Sequence, residues 1–262
     1  MDLLTRLLIV SGLILSLMLP EIGAKPAYEK SGEVMIPRAD FSADGGKVTA
    51  RFRATRWGMY DLMIEGTADA GLQAKLNGQE FVGFPAGPGH LGKFYMKKAG
   101  PCVIELNGTA GGVTALRLVP ACEGKPVVPE KGKAIELDAR DCRISGVTLR
   151  YEPNPKKLCI GFWGNPEDYP VWNYTVATAG KYEVILTQGC GRGAGGSKAV
   201  LETAGASLEF TVKDTGGYQN WIDVSLGEVI FAKAAPQQLS VKVLKKARGI
   251  MDIRRIVLKP VE

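Results

Sequence analysis

The chain has 262 residues, with 33 Lys+Arg against 27 Asp+Glu, a formal net charge of +6 and a single histidine. Its 33 glycines and 15 prolines are many for a helical protein, and no long stretch repeats apolar residues at helical spacing. The basic residues come as scattered pairs (Lys97-Lys98, Lys156-Lys157, Lys245-Lys246, Arg254-Arg255) with no arginine-rich tract. That argues against nucleic acid, and leaves either solvated strand edges or a preference for acidic polysaccharide.

At the start, Arg6 precedes an apolar run from Leu7 to Leu19, followed by Pro20 and the small pair Gly23-Ala24. This pattern reads as a secretory signal peptide, residues 1–24, and the run is too short for a comfortable membrane span. The mature chain is therefore expected to be secreted or periplasmic, at the cell envelope, with no membrane span after cleavage.

Beyond it, Val, Ile, Leu, Tyr and Phe alternate with polar residues in short runs bounded by Gly, Pro and Asn. That is the signal of an all-β protein. The runs repeat. Glu33–Asp40 matches Ala134–Asp141, Val48–Phe52 matches Val147–Tyr151, and Tyr60–Ile64 matches Tyr182–Leu186. Leu91-Gly92 matches Leu226-Gly227, Pro101 matches Pro236, and Leu116–Pro120 matches Ile256–Pro260. Such matches, all in one order, predict two tandem β-sandwich domains of the jelly-roll kind, at 28–122 and 132–262, each of some seven to nine strands. The stretch 123–131, rich in proline, glycine and charge, reads as their linker. The second copy is longer, chiefly between Tyr151 and Tyr182. Opposite parity of Met251–Ile253 and Ile256–Leu258 predicts a bulge at Arg254-Arg255.

Five cysteines follow the leader: Cys102, Cys122, Cys142, Cys159 and Cys190. Cys102 and Cys122 flank a hairpin predicted from Val103–Leu106 and Val113–Val119, so they are one candidate disulfide, with Cys159 and Cys190 the next. With one histidine, His90, no Cys-His metal spacing exists, and no nucleophile pattern surrounds that histidine.

The segment Asp214–Trp221 joins the strand-like run Leu208–Val212 to a second, Leu226–Phe231. It carries two glycines, then Tyr218, Gln219, Asn220 and Trp221. Flat rings and amides suit the apolar faces and hydroxyls of a sugar, and equally suit a loop that plugs a sandwich. Trp163 and Tyr169 bracket a turn-rich loop and can line a rim, whereas Trp172 alternates with Tyr174 and Val176 as a core residue does. The glycine-rich loop Gln188–Ser197 lacks a phosphate-cradle ending, but Arg192 within it can reach an anionic or hydroxylated ligand.

The second half resembles the galactose-binding-like jelly rolls, in particular the family 6 and family 35 carbohydrate-binding modules. The residues that carry the likeness are Ile135–Asp138, Ile160–Trp163 with Asp168 and Trp172–Val176, Ala179–Val184, Thr215–Trp221 and Met251–Ile253. The first half shares it only through the repeat. The resemblance implies a sugar site drawing on Tyr218, Trp221, Asn220, Trp163, Tyr169 and Arg192. It also implies a structural Ca²⁺ held by Glu136, Asp138 and Asp252. The family's asparagine before the final acidic strand is absent, since that stretch reads Arg248–Met251. The expected function is non-catalytic recognition of an extracellular glycan, docking onto it or bringing a glycosidase or sulfatase to it. The alternatives are a structural or protein-interaction module of the envelope and a lyase or hydrolase on a jelly-roll surface, which a concave acid pair beside an Arg or Lys would mark.

Overall fold

The structure is a computed structural model that describes residues 32–44, 47–68, 71–80, 89–108 and 110–261. The expected signal peptide lies outside the described residues. Among the described residues no helix is long and apolar enough to cross a membrane.

Among the described residues twenty strands form two sandwiches. The first contains β1 (Val34–Pro37), β2 (Phe41–Asp44), β3 (Lys47–Ala54), β4 (Gly58–Gly66), β5 (Gln73–Leu76), β6 (Gln79–Glu80), β7 (His90–Met96), β8 (Gly100–Asn107) and β9 (Val113–Pro120). Its sheets run β1-β9-β4-β7 and β2-β3-β8-β5-β6. The second contains β10 (Ile135–Asp138), β11 (Cys142–Ser145), β12 (Arg150–Glu152), β13 (Cys159–Gly161), β14 (Tyr169–Val176), β15 (Gly180–Cys190), β16 (Lys198–Thr203), β17 (Ala206–Thr211), β18 (Gly217–Phe231), β19 (Ala235–Lys245) and β20 (Asp252–Pro260). Its sheets run β12-β13-β20-β15-β18, with β10 also on β20, and β11-β14-β19-β16-β17.

Alternation places every second side chain inward. Tyr60, Leu62, Ile104, Leu116 and Leu118 build one apolar core, and Leu137, Val184, Leu186, Ile256 and Leu258 build the other. The repeat is visible as register. Leu62 opposes Leu118 and Tyr60 opposes Pro120; Val184 opposes Leu258 and Tyr182 opposes Pro260. Both copies also bulge at the same place. Leu91 is the extra residue beside Gly92, opposite Leu62, and Leu226 is the extra residue beside Gly227, opposite Val184. Gly92 and Gly227 adopt φ of 140° and 121°, which a side chain disfavours. The bulge at Arg254 is present too: Thr187 opposes Arg255 while Gln188 opposes Ile253.

One repeat match needs correcting. The counterpart of β3, between β2 and β8, is β14, between β11 and β19. Residues 147–151 therefore do not correspond to 48–52. They begin an insertion, 146–168, where the first copy crosses from β2 to β3 in two residues. The insertion supplies β12 and β13, which extend the edge of β20 beyond β10.

The disulfide expectation is also corrected, because all five cysteines are free thiols. Strands β8 and β9 lie in different sheets, so Cys102 and Cys122 do not flank a hairpin. The Cys159 Sγ faces Glu152 and Asp252, whereas the Cys190 Sγ donates to the Ile250 carbonyl. The segment between the sandwiches is not a bare tether: Val127 bonds to Asn173 and Thr175 on β14, beyond the end of β11.

Candidate functional site

The insertion 146–168 is shaped by one carboxylate. Asp168, fully buried, accepts bonds from the backbone N–H groups of Val147, Thr148 and Leu149 at 3.2, 2.7 and 2.9 Å. It also accepts from the Thr148 hydroxyl at 2.7 Å and the Asn165 amide at 2.9 Å. These bonds fold the two ends of the insertion together, and the Trp163 indole closes the loop by donating to the Asp168 carbonyl at 2.9 Å. Gly146 sits tight against this carboxylate; a Cβ there would meet the Asp168 Cγ at 2.2 Å.

Between the insertion, the start of β18 and the β19–β20 connection lies a cleft of about 460 Å³. Two exposed rings stand over it: Phe162, 53% exposed, and Tyr218, 41% exposed. Phe162 adopts a left-handed φ of 58°, unusual for a bulky residue. It is braced by the first sandwich: the Trp57 and Phe162 rings pack edge to face with centroids 5.9 Å apart, and the Arg150 guanidinium lies 4.6 Å from the Phe162 centroid and 4.9 Å from that of Trp57. Opposite, Tyr218 lies over two bare glycines. A Cβ on Gly191 would come within 2.7 Å of its ring, and one on Gly249 within 3.0 Å of its hydroxyl. The Lys246 ammonium donates to the Gly164 carbonyl at 2.5 Å and ties the two walls together. Gln219 and Arg248 add polar groups along the side.

The floor holds an acid pair. Glu152 and Asp252 are 7% and 5% exposed, and the Cys159 thiol is completely buried between them. Lys157 donates to Glu152 Oε2 at 2.5 Å, and Gln219 to Asp252 Oδ2 at 3.3 Å. Burial first, and then the Glu152 charge, pushes the Asp252 carboxyl up to about 7. Burial and the two carboxylates likewise push the Cys159 thiol up. Gly161 makes the approach feasible, since a Cβ there would lie 2.3 Å from Glu152 Oε1 and 3.2 Å from Asp252 Oδ1.

Of the residues expected to bind sugar, Tyr218 lines this cleft as an exposed ring. Trp163 lines it too, but as a buried core residue and not an exposed rim. The rest stand elsewhere. Trp221 lies in a separate groove with Asp138 and Arg254, whose guanidinium covers the ring at 5.8 Å. The Asn220 amide is used locally, donating to Thr215 O at 3.1 Å. Tyr169 starts β14 beside Lys242, and Arg192 is not among the cleft residues. Tyr218, Asn220 and Trp221 also belong to the fifteen-residue strand β18, not to a loop.

The three expected calcium ligands are not brought together. Glu136 and Asp138 oppose Val257 and Arg255 on β20, and Glu136 is exposed to solvent, whereas Asp252 turns into the cleft floor. Sequence reasoning missed Phe162, Glu152, Lys157, Lys246 and Arg248. The readable signal for Phe162 was its place just after Gly161, in a turn-rich stretch that the first copy lacks.

No protein-family model matches the chain, and no curated protein matches it. Among solved structures it is similar to the C-terminal CBM6 of LamC, a laminarinase from the marine organism Zobellia galactanivorans. That likeness has 20% identity, covers 48% of this chain and 98% of the module, and gives a TM-score of 0.39. A family 35 carbohydrate-binding module from Clostridium thermocellum is similar at 15% identity, over 49% of this chain and 98% of the module, with a TM-score of 0.40. A Paenibacillus xanthan lyase is similar at 14% identity over 88% of this chain and 25% of the lyase, with a TM-score of 0.40.

Proposed function

We propose that the protein is an exported, non-catalytic recognition protein that binds a saccharide in the cleft between Phe162 and Tyr218. Its role would be to dock onto an extracellular glycan or to bring a glycosidase or sulfatase to one. The observation that carries this reading is the pairing of two exposed rings over a cleft of about 460 Å³ whose lining also includes Gln219, Lys246 and Arg248. A pyranose ring has an apolar C–H face and an equatorial belt of hydroxyls. The first packs on an aromatic face, and the second needs donors and acceptors such as Gln219, Lys246 and Arg248. The volume falls in the range of small-ligand sites, roughly 300–1,000 Å³.

The test is a binding screen of the protein against a glycan panel, followed by titration of Phe162→Ala and Tyr218→Ala with the best ligand. Each ring is expected to contribute about 0.5–1.5 kcal/mol. Each variant should therefore bind about two- to tenfold more weakly, with an unchanged melting temperature. No glycan bound, or full affinity in both variants, would overturn the reading in favour of a structural or protein-interaction module.

A catalytic reading has one observation in its favour: the concave acid pair Glu152–Asp252 with Lys157 beside it. Against it, the Glu152 carboxylate is held by Lys157 and that of Asp252 by Gln219. Both acids also lie more than nine-tenths buried at the floor of the cleft. Glycan cleavage that disappears in Glu152→Gln would establish catalysis. Binding without product supports recognition alone.

A further inference from the structure

The resemblance to carbohydrate-binding modules implies a calcium held by Glu136, Asp138 and Asp252, and the fold does not provide it. Glu136 points to solvent, and Asp252 lies three residues beyond Arg255, the partner of Asp138. We infer that Asp252 belongs instead to a three-donor site with Glu152 and Cys159 that takes a divalent ion of the zinc class. This holds whether or not the cleft above binds sugar.

The donor set makes the first argument. Calcium is a hard ion that collects six to eight oxygens, and a thiolate is a poor ligand for it. Two carboxylates and a thiolate suit a borderline-soft ion with tetrahedral preference. The spacing makes the second. Around such an ion, with a metal–sulfur bond of about 2.3 Å and metal–oxygen bonds of about 2.1 Å, sulfur and oxygen stand about 3.6 Å apart. The Cys159 Sγ lies 3.9 Å from Glu152 Oε1 and 3.7 Å from Asp252 Oδ2, so the two sulfur–oxygen edges already stand close to that spacing, and all three donors lie within 4.8 Å of one another.

Charge makes the third argument. Two carboxylates and a thiolate carry three negative charges in a buried place, which is costly without compensation. Lys157 supplies one positive charge and a divalent ion two, which closes the balance. Lys157 occupies Glu152 Oε2 and leaves Oε1 to the ion, while Gln219 steadies Asp252; such outer partners hold ligands in orientation. Gly161 keeps clear the space that a Cβ would take from the Glu152 carboxylate. The ion enters through the cleft, whose floor both carboxylates line. Binding displaces the thiol proton, and any proton on Asp252, to solvent.

The test is titration of the chelator-stripped full chain with cobalt(II), then zinc and calcium. One equivalent of cobalt is expected to give a thiolate-to-cobalt charge-transfer band in the near ultraviolet. Zinc should bleach the band and a large excess of calcium should not. Zinc should also raise the melting temperature of the parent. Cys159→Ser should lose the band. Glu152→Gln and Asp252→Asn keep the thiol and should need more than about tenfold more cobalt to reach it, which serves even if Cys159→Ser fails to fold. Absence of the band in the parent at saturating cobalt would overturn the site. So would its survival in Cys159→Ser, or its bleaching by calcium.

Discussion

Asp168 and Asp252 are both buried acids, and their surroundings give them opposite roles. Asp168 meets five donors and fixes the insertion. Asp168→Ala strands three backbone N–H groups, each costing about 1–3 kcal/mol, so chemical denaturation should report a loss of at least about 3 kcal/mol. Asp252 meets another carboxylate, and its proton is held to about 7 against an ordinary 3.8. Between those values the folded state binds more protons than the unfolded one, so this group's contribution to stability falls as pH rises from about 4 to 7. In chelator-treated protein the denaturation midpoint of Asp252→Asn should vary less across that window than the parent's. At this scale the sequence was partly legible. Trp172 betrayed itself as core by alternating with Tyr174 and Val176, and all three are buried. Trp163 misled because it stands in a glycine-proline loop. What buries it is the bond to the Asp168 carbonyl, which no local pattern announces.

At the scale of elements, the insertion 146–168 distinguishes the two copies. It delivers Glu152, Lys157 and Phe162 to the cleft, together with Cys159, and the first copy has nothing in its place. The repeat was readable where both copies obey the same register, at Tyr60 with Tyr182, at the Leu-Gly bulges and at the closing prolines. It was misread at 147–151 because a short alternating run looks alike wherever it sits. Only sheet order shows that β14 takes the place of β3. The aromatics of β18 were displaced for a related reason. Two glycines suggested a turn, yet the strand begins at Gly217, so Tyr218 reaches the cleft while Trp221, further along, meets Arg254 in another groove. The brace behind Phe162 yields a prediction. Trp57 is only partly buried, so Trp57→Ala should leave the melting temperature nearly unchanged. Removing the edge contact should nevertheless speed proteolysis at 153–165 and weaken glycan binding by about two- to tenfold.

Across the whole molecule, two separate cores share one seam. Arg56, 2% exposed, donates to the Gly146 carbonyl at 2.6 Å, so the first sandwich grips the insertion at its root. Arg56→Ala leaves that buried carbonyl unpaired, and the second sandwich should lose about 1–3 kcal/mol although the substitution lies in the first. Tandem sandwiches were legible because alternation and repetition act along the chain. The seam was not, because Arg56 and Gly146 are 90 residues apart and neither lies in a patterned run. The first copy thus becomes the support of the second, and the cleft depends on both. The most direct measurement of that account is a crystal structure of the protein soaked with the glycan it binds best. A sugar ring packed on Phe162 or Tyr218, with its hydroxyls on Gln219, Lys246 or Arg248, is the expected result. Sugar bound instead in the groove of Trp221 and Arg254, with the cleft holding only water, would contradict it.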